Sequence, residues 1–356
     1  MKKAERQFLF DLLNTPSPSG FEARGQKCWV DYVRQHTDSV ETDSYGTAWA
    51  TREASQAEGA PTVMLEAHAD EIGFMVNHID NDGYLFVSRI GGTDRAMARG
   101  KRVQILGDNG PIPGVVGNTA IHLRETRNEK VPEWHKIFVD IGASSRDDVH
   151  ERGIRVGHPM VYTDATEELT PGRLTGRALD NRVGGYIIAQ VVARLAEEKR
   201  TPATVYAVNA VQEEIGGYGA KMIAYRLHPT VAIVLDVTHA TDSPGVEKGK
   251  HGDIKLGAGP SLTHGSCNHP VVVQRLMDVA EQAEIPLQHE AASLYTGTDT
   301  DDVFIARTGV PSALVSLPMR YMHSTVEMVE LEDIERCIQL LLEFARSVTP
   351  QDDFSV

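Results

Sequence analysis

The sequence predicts an α/β fold in which a mixed, mainly parallel sheet carries helices on both faces and is interrupted by a small all-β insertion. Two observations lead there. Residues 1–70 and 166–356 alternate segments of helical periodicity with short apolar runs, the pattern of helices wound around a parallel sheet. Residues 71–165 instead hold short β-branched runs separated by turn clusters, the texture of a small barrel or sandwich. With 356 residues, 41% of them hydrophobic, the chain can bury one or two substantial cores.

The first segment, MKKAERQFLFDLLN, places Phe8, Leu9, Leu12 and Leu13 on one face of an amphipathic helix. Glu5, Arg6 and Asp11 interrupt its apolar stretch and no small-residue cleavage site follows, so it does not read as a signal peptide. Ala60-Pro61 precedes Thr62 to Ala67, a central strand. Within the insertion, runs at Tyr84 to Ile90, Val103 to Leu106, Gly114 to Val116 and Ile137 to Ile141 read as strands. Asn81-Asp82-Gly83 and the run from Gly107 to Pro111 read as turns. Asp180 to Lys199 puts Val183, Ile187, Ile188, Val191 and Leu195 at helical spacing. Ala203 to Val211, Thr230 to Val237 and Val310 to Leu317 follow as buried strands. A last helix carries Leu331, Ile334, Ile338, Leu341, Leu342 and Phe344.

Bulk properties remove several functions. No apolar run reaches the roughly 20 residues that span a bilayer. A formal charge of −15 disfavours nucleic acid and anionic membranes as partners, because phosphate binding needs clustered Lys and Arg. The three cysteines, Cys28, Cys267 and Cys337, form no CxxC pair and no disulfide framework. They read as reduced thiols of a cytoplasmic protein.

Chemistry concentrates in a few short motifs. In LEAHADEIG, His68 and Asp70 stand two apart at a strand end, so both leave the same face if extension persists. One imidazole nitrogen can then hold a metal while the aspartate orients the other; an ordinary strand-end hydrogen bond is the competing reading. In GRALDNRVGG, Asp180 falls where a helix N-cap is expected, yet Asn181 caps equally well and leaves Asp180 free to bridge two cations. In VQEEIGGYGA, Glu213 and Glu214 leave the backbone in different directions. One can bind a metal and the other face a water, or both can simply suit a helix macrodipole.

Asp236 in LDVTHA and His323 in RYMHSTVE are a turn former and a surface histidine when taken singly. Taken together, the candidates are expected just past the C-terminal ends of parallel strands, where open α/β sheets bind their ligands. His and carboxylate without Cys suit a hydrolytic Zn, Co or Mn centre.

The ordered set resembles the tetrahedral aminopeptidases, family forty-two of the metallopeptidases, which belong with the co-catalytic zinc exopeptidases. The resemblance runs through His68-x-Asp70-Glu71-Ile72-Gly73, Ala178-Leu179-Asp180-Asn181-Arg182 and Gln212-Glu213-Glu214. It continues through Asp236-Val237-Thr238, Gly297-Thr298-Asp299 and Arg320-Tyr321-Met322-His323-Ser324. It implies two divalent metal ions per subunit, zinc first, with cobalt or manganese accepted. His68 and Asp236 would hold one ion, Glu214 and His323 the other. Asp180 would bridge them, Asp70 would orient His68, and Glu213 would be the general base. It further implies short peptide substrates and dimerisation through residues 71–165. Six dimers would close into a tetrahedral dodecamer.

Two departures from the family pattern stand out. Gly217 and Tyr218 occupy positions where a bulky residue and an Arg are usual. Asp301 and Asp302 follow Gly297-Thr298-Asp299-Thr300, where small residues are usual. The two aspartates are either first-turn helix charge or a bias of the substrate pocket toward basic side chains. A related two-metal deacylase or carboxypeptidase shares the same metal logic. A glycoside hydrolase, a label some relatives have carried, needs two carboxylates flanking a sugar and no metal.

Overall fold

The structure, a computed structural model, describes residues 1–56, 58–124, 129–198 and 200–356. The strands in chain order are β1 (Ser39–Thr42), β2 (Ala48–Arg52), β3 (Thr62–His68), β4 (Gly73–Ile79), β5 (Leu85–Ile90) and β6 (Arg102–Gly107). Next come β7 (Gly110–Val116), β8 (Phe138–Asp140), β9 (Pro159–Tyr162), β10 (Glu167–Thr170), β11 (Arg173–Gly176) and β12 (Thr204–Ala210). The last are β13 (Val231–His239), β14 (Ser261–His264), β15 (Gln288–Ala291), β16 (Ser312–Met319) and β17 (Glu327–Glu330).

Eight of these form one sheet in the order β1-β2-β12-β3-β13-β16-β14-β15. Its centre, β12-β3-β13-β16, is parallel throughout, and antiparallel pairs attach β2 and β14 at either side. The central strands are apolar along nearly their whole length because helices cover both faces. One face packs against helices Lys3–Asn14, Ala23–Val33, Leu179–Ala196, Pro270–Gln282 and Leu331–Ser347. The other packs against Tyr218–Leu227 and the short Thr300–Val303 turn of helix. Phe8, Leu9, Leu12 and Leu13 all point inward, as the amphipathic spacing requires. Each such side chain contributes about 1.5–3 kcal/mol on burial.

The helix expected over Asp180 to Lys199 runs Leu179–Ala196; its expected end at Lys199 lies outside the described residues. Val183, Ile187, Ile188, Val191 and Leu195 are buried, and so is nearly every other residue of this helix. Buried Arg182 donates to the carbonyls of Thr15 and Leu12, tying its first turn to the end of the N-terminal helix.

Residues Gly73 to Tyr162 supply a separate closed barrel, β4-β5-β8-β7-β6-β9, with its own core of Phe74, Val76, Leu85, Val103, Ile105, Val139 and Met160. The Asn81-Asp82-Gly83 turn closes the first hairpin: the Asp80 carboxylate accepts the amides of Asp82 and Tyr84, and Gly83 takes φ of +89°. Only four residues separate His68, at the end of β3, from Gly73, at the start of the barrel. A third sheet, β10-β11-β17, is antiparallel and small. Cys28, Cys267 and Cys337 are free. No helix among the described residues is long and apolar enough to cross a membrane.

Candidate metal centre

His68 is the last residue of β3, and side-chain alternation puts it on the same face as Glu66 and Met64. Its Nδ1 lies 3.4 Å from Asp70 Oδ1. Asp70 is fully buried and accepts three hydrogen bonds. It takes the Ser19 hydroxyl at 2.6 Å, the Glu213 amide at 3.0 Å and the Glu214 amide at 3.2 Å. One carboxylate therefore lies against the histidine and fixes the start of the Glu213-Glu214 turn.

Asp180 sits at the head of the long helix but does not cap it. Its φ and ψ are non-helical, and the Asp180–Asn181 peptide is cis. Asn181 caps instead: its Oδ1 accepts the Gly184 amide at 3.1 Å and its amide donates to the Leu235 carbonyl at 2.6 Å. The Asp180 carboxylate is left to the site. The segment that delivers it follows β11 of the small antiparallel sheet, not a strand of the main sheet as expected.

Asp236 also departs from expectation. It lies inside β13 with Val237, Thr238 and His239 beyond it, so its side chain rises from the sheet face below the strand end. Glu213 and Glu214 do follow β12, in a turn ahead of helix Tyr218–Leu227. His323 follows β16 in a loop where Tyr321 and His323 take φ of +61° and +58°.

The side chains converge. His68 Nε2 is 3.1 Å from Asp180 Oδ1, 3.8 Å from Glu213 Oε2 and 3.9 Å from Asp236 Oδ1. His323 Nε2 is 3.3 Å from Asp180 Oδ2 and 3.4 Å from Glu214 Oε2. Two groups of possible ligands result, His68–Asp180–Asp236 and Asp180–Glu214–His323. Within each, the donor atoms lie within 4.8 Å of one another. All seven residues singled out from the sequence meet here, and Asp180 belongs to both groups.

Burial and neighbouring carboxylates push Glu213 up to about 9 and Asp236 up to about 7, and Glu214 rises well above the carboxylate range. For His68, burial favours the neutral ring, but hydrogen bonds to Asp180 and Asp70 outweigh it and raise the pKa. Among the described residues no Lys or Arg pairs with Asp180, Glu213, Glu214 or Asp236. Buried Glu214 Oε1 has no hydrogen-bond partner. Acids crowded together without a cation, one oxygen of them unpartnered, fit divalent metal ions, and His with carboxylate oxygen is a donor set that zinc, cobalt and manganese accept.

A cavity of about 1080 Å³ opens over the cluster and is lined by Asp180, Glu213, Glu214, Asp236 and His323, with Thr263, Leu314 and Ser316 along the sheet face. Asp301 and Asp302 also line it, but neither is idle. Asp301 accepts the amides of Thr296 and Gly297 and the Cys267 thiol, and Asp302 pairs with Lys221 at 3.1 Å. Gly217 fits against these acids: a Cβ there would strike the Asp302 carboxylate.

Sequence reasoning passed over several contributors. Buried Glu66 and Asp299, the latter quoted above only within a motif, lie near the cluster. Burial is the first cause of the raised pKa of both, with Asp236 and Glu213 adding to it for Glu66 and repulsion from Glu66 adding to it for Asp299. A charged residue two before His68 in an otherwise apolar strand was the available signal. Glu327, four residues after His323, accepts backbone amides of the site. Gly91 and Gly92, after β5 of the barrel, pack against Glu214 and His323. The barrel therefore reaches the centre directly.

A parallel-centred α/β sheet bearing paired histidine and carboxylate groups under an open cavity defines a metallopeptidase fold. The chain belongs to the M42 glutamyl aminopeptidase family, which matches residues 46–340. A lysyl aminopeptidase of Pyrococcus furiosus is 36% identical over 349 residues, covering 97% of this chain and 98% of that protein. An aminopeptidase from the archaeon Desulfurococcus kamchatkensis superposes with a TM-score of 0.91 at 34% identity, covering 98% of this chain and 96% of the other. The TET1 peptidase of Pyrococcus horikoshii, which can assemble into a tetrahedron or a large octahedral shell, superposes with a TM-score of 0.86 at 26% identity. That alignment covers 97% of this chain and all of the other. The chain is accordingly a hydrolase of an aminopeptidase family, and its mixed sheet with a separate antiparallel barrel is the architecture of these relatives.

Proposed function

We propose that the protein is a two-metal aminopeptidase that removes N-terminal residues from short peptides, with Glu213 as its general base. One observation carries the reading: Asp180 is shared by both ligand groups, with its two carboxylate oxygens turned to different histidines. His68 and Asp236 would hold one divalent ion and Glu214 and His323 the other, with Asp180 available to both groups. Zinc is the first candidate, and cobalt or manganese would also be accepted.

Bound there, the two ions supply Lewis acidity for the scissile carbonyl and bring the pKa of water toward neutrality. The rest falls to the chain's own residues. Glu213 lines the cavity beside His68, coordinates no ion in this scheme, and takes the proton of the attacking water at its carboxylate. The same oxygen returns that proton to the departing amine. Asp70 holds His68 in the orientation and tautomer that present Nε2 to the site. By locking the amides of Glu213 and Glu214, it also fixes the base relative to the neighbouring ligand.

A glycoside hydrolase needs two carboxylates about 5–9.5 Å apart on either side of a glycosidic bond. Here the acids crowd around two imidazoles, which such a mechanism would leave without work. Dimerisation through the barrel at residues 71–165, closure into a tetrahedral dodecamer, and a cytoplasmic setting belong to the same proposal. The tetrahedron into which the TET1 relative can assemble supports this part of the proposal.

The test uses amino-acid p-nitroanilides and their N-acetylated counterparts on demetallated protein, with Zn, Co and Mn restored separately. Cleavage of the free-amine set alone, dependent on added metal, is the expected result. Undiminished activity without metal, or equal cleavage of the blocked set as a deacylase would give, overturns it.

A further inference from the structure

Glu327 opens β17 and is 1% exposed. Among the described residues, its side chain accepts hydrogen bonds from the main chain of the centre. Oε2 takes the Asp180 amide at 3.2 Å and Oε1 takes the His323 amide at 3.0 Å. Those two residues lie 143 positions apart and belong to one ligand group, Asp180–Glu214–His323. The backbone at both ends needs holding. Ala178, just before the Asp180 segment, has φ of +59°, and Tyr321 and His323 are left-handed as well. None of these is glycine.

The surrounding chain makes Glu327 a fixed post. Glu327 sits opposite Gly176 in the β11·β17 pair, so it is anchored to the strand that leads into Asp180. Arg320 and Met328 form a bridge that closes the loop carrying His323. Arg320 also grips Asp242 through two nitrogens, each at 2.7 Å. From inside this loop, the Glu327 carboxylate reaches across to both ligand-bearing segments.

We propose that Glu327 is a positioning residue that sets the spacing of Asp180 and His323, so that the second cation position depends on this one carboxylate. The inference rests on the two-metal reading above. Replacing Glu by Gln puts an NH2 group where an acceptor faced an amide, so one of the two bonds becomes a clash of donors. Asp keeps the charge but is one methylene too short to span both amides. The His68–Asp180–Asp236 group shares Asp180 but contains no residue of the His323 loop, so the first position should lose far less than the second in either change.

The test titrates demetallated wild-type, Glu327→Gln and Glu327→Asp proteins with Zn and with Co. It reads bound equivalents by elemental analysis, the Co absorption of each step, and the melting temperature of each metal-free protein. Two equivalents in wild type, with at least a tenfold weaker second equivalent and a little-changed first in the variants, are expected. Two equivalents bound by both variants with wild-type affinity overturn the inference. So does equal loss of both equivalents, or a metal-free Glu327→Asp protein that does not fold, since either makes the residue merely structural. Fewer than two equivalents in wild type would instead strike the two-metal reading itself.

Discussion

Asp180 and His68 approach at 3.1 Å from Oδ1 to Nε2, while the other oxygen of the same carboxylate lies 3.3 Å from His323. A single short side chain thus joins two histidines that arrive from different strands. Asp180→Ala should leave the fold intact, because Asn181 rather than Asp180 caps the helix. It should lose the second bound cation and weaken the first. Elemental analysis after dialysis, beside a circular dichroism spectrum unchanged from wild type, checks this.

Glu213→Gln keeps size and removes the proton acceptor. Positioned acid–base groups typically contribute 10²–10⁴-fold, so kcat should fall by about that factor. Bound metal should stay at the wild-type level, because Glu213 belongs to neither ligand group. A rate near wild type would remove Glu213 from the role.

The raised carboxyls fix the sign of a pH effect. Without metal, the folded protein holds protons on Asp236 up to about pH 7 and on Glu213 up to about pH 9, whereas an unfolded chain releases them near pH 4. Folded pKa values above unfolded ones give stability that is full below pH 4 and lost as pH climbs through 7 and 9. Asp70 and Asp180 are shifted downward and act in the opposite sense at acid pH. The metal-free protein should therefore melt lower at pH 9 than at pH 6. Cation binding displaces the same protons, so affinity should rise over that interval and calorimetry in different buffers should show proton release.

Gly92→Ala would direct a Cβ into the imidazole of His323. The substitution should cut activity and second-cation occupancy while the barrel, which has its own core, stays folded. Activity within twofold of wild type would show that the loop yields.

Arg182 touches no ligand, yet it is buried and donates to two carbonyls of the N-terminal segment. Arg182→Ala leaves those acceptors without a donor in the interior. Each buried acceptor left unsatisfied costs about 1–3 kcal/mol, measurable by urea unfolding.

The sequence carried the apolar elements well, because burial on one or both faces imposes periodicities of 3.6 and 2 that survive in the order of residues. The helix from Leu179 and the strands β3, β12, β13 and β16 were visible that way. His68, Glu213, Glu214 and His323 were legible because each ends or follows a recognisable strand. Asp180 is legible as freed by the Asn181 cap, but it follows a strand of the small sheet rather than a parallel one, and Asp236 lies inside β13 rather than at its end. A strand of a separate small sheet looks, in sequence, like any other strand, and an inward-pointing Asp inside β13 looks like a strand end. Glu327 and the Gly91-Gly92 pair stayed hidden for a different reason. Their partners are backbone atoms and a distant imidazole, and no local spacing records such contacts.

The four residues between β3 and the barrel have a mechanical consequence. Glu71 in that tether is clamped by Arg177 and by the Ser17 amide, and Asp70 beside it holds the turn of Glu213. A torque on the barrel, such as a neighbouring subunit docking there would exert, has almost no slack in which to dissipate before it reaches His68. With the proposed assembly through the barrel, docking and turnover would share one lever arm.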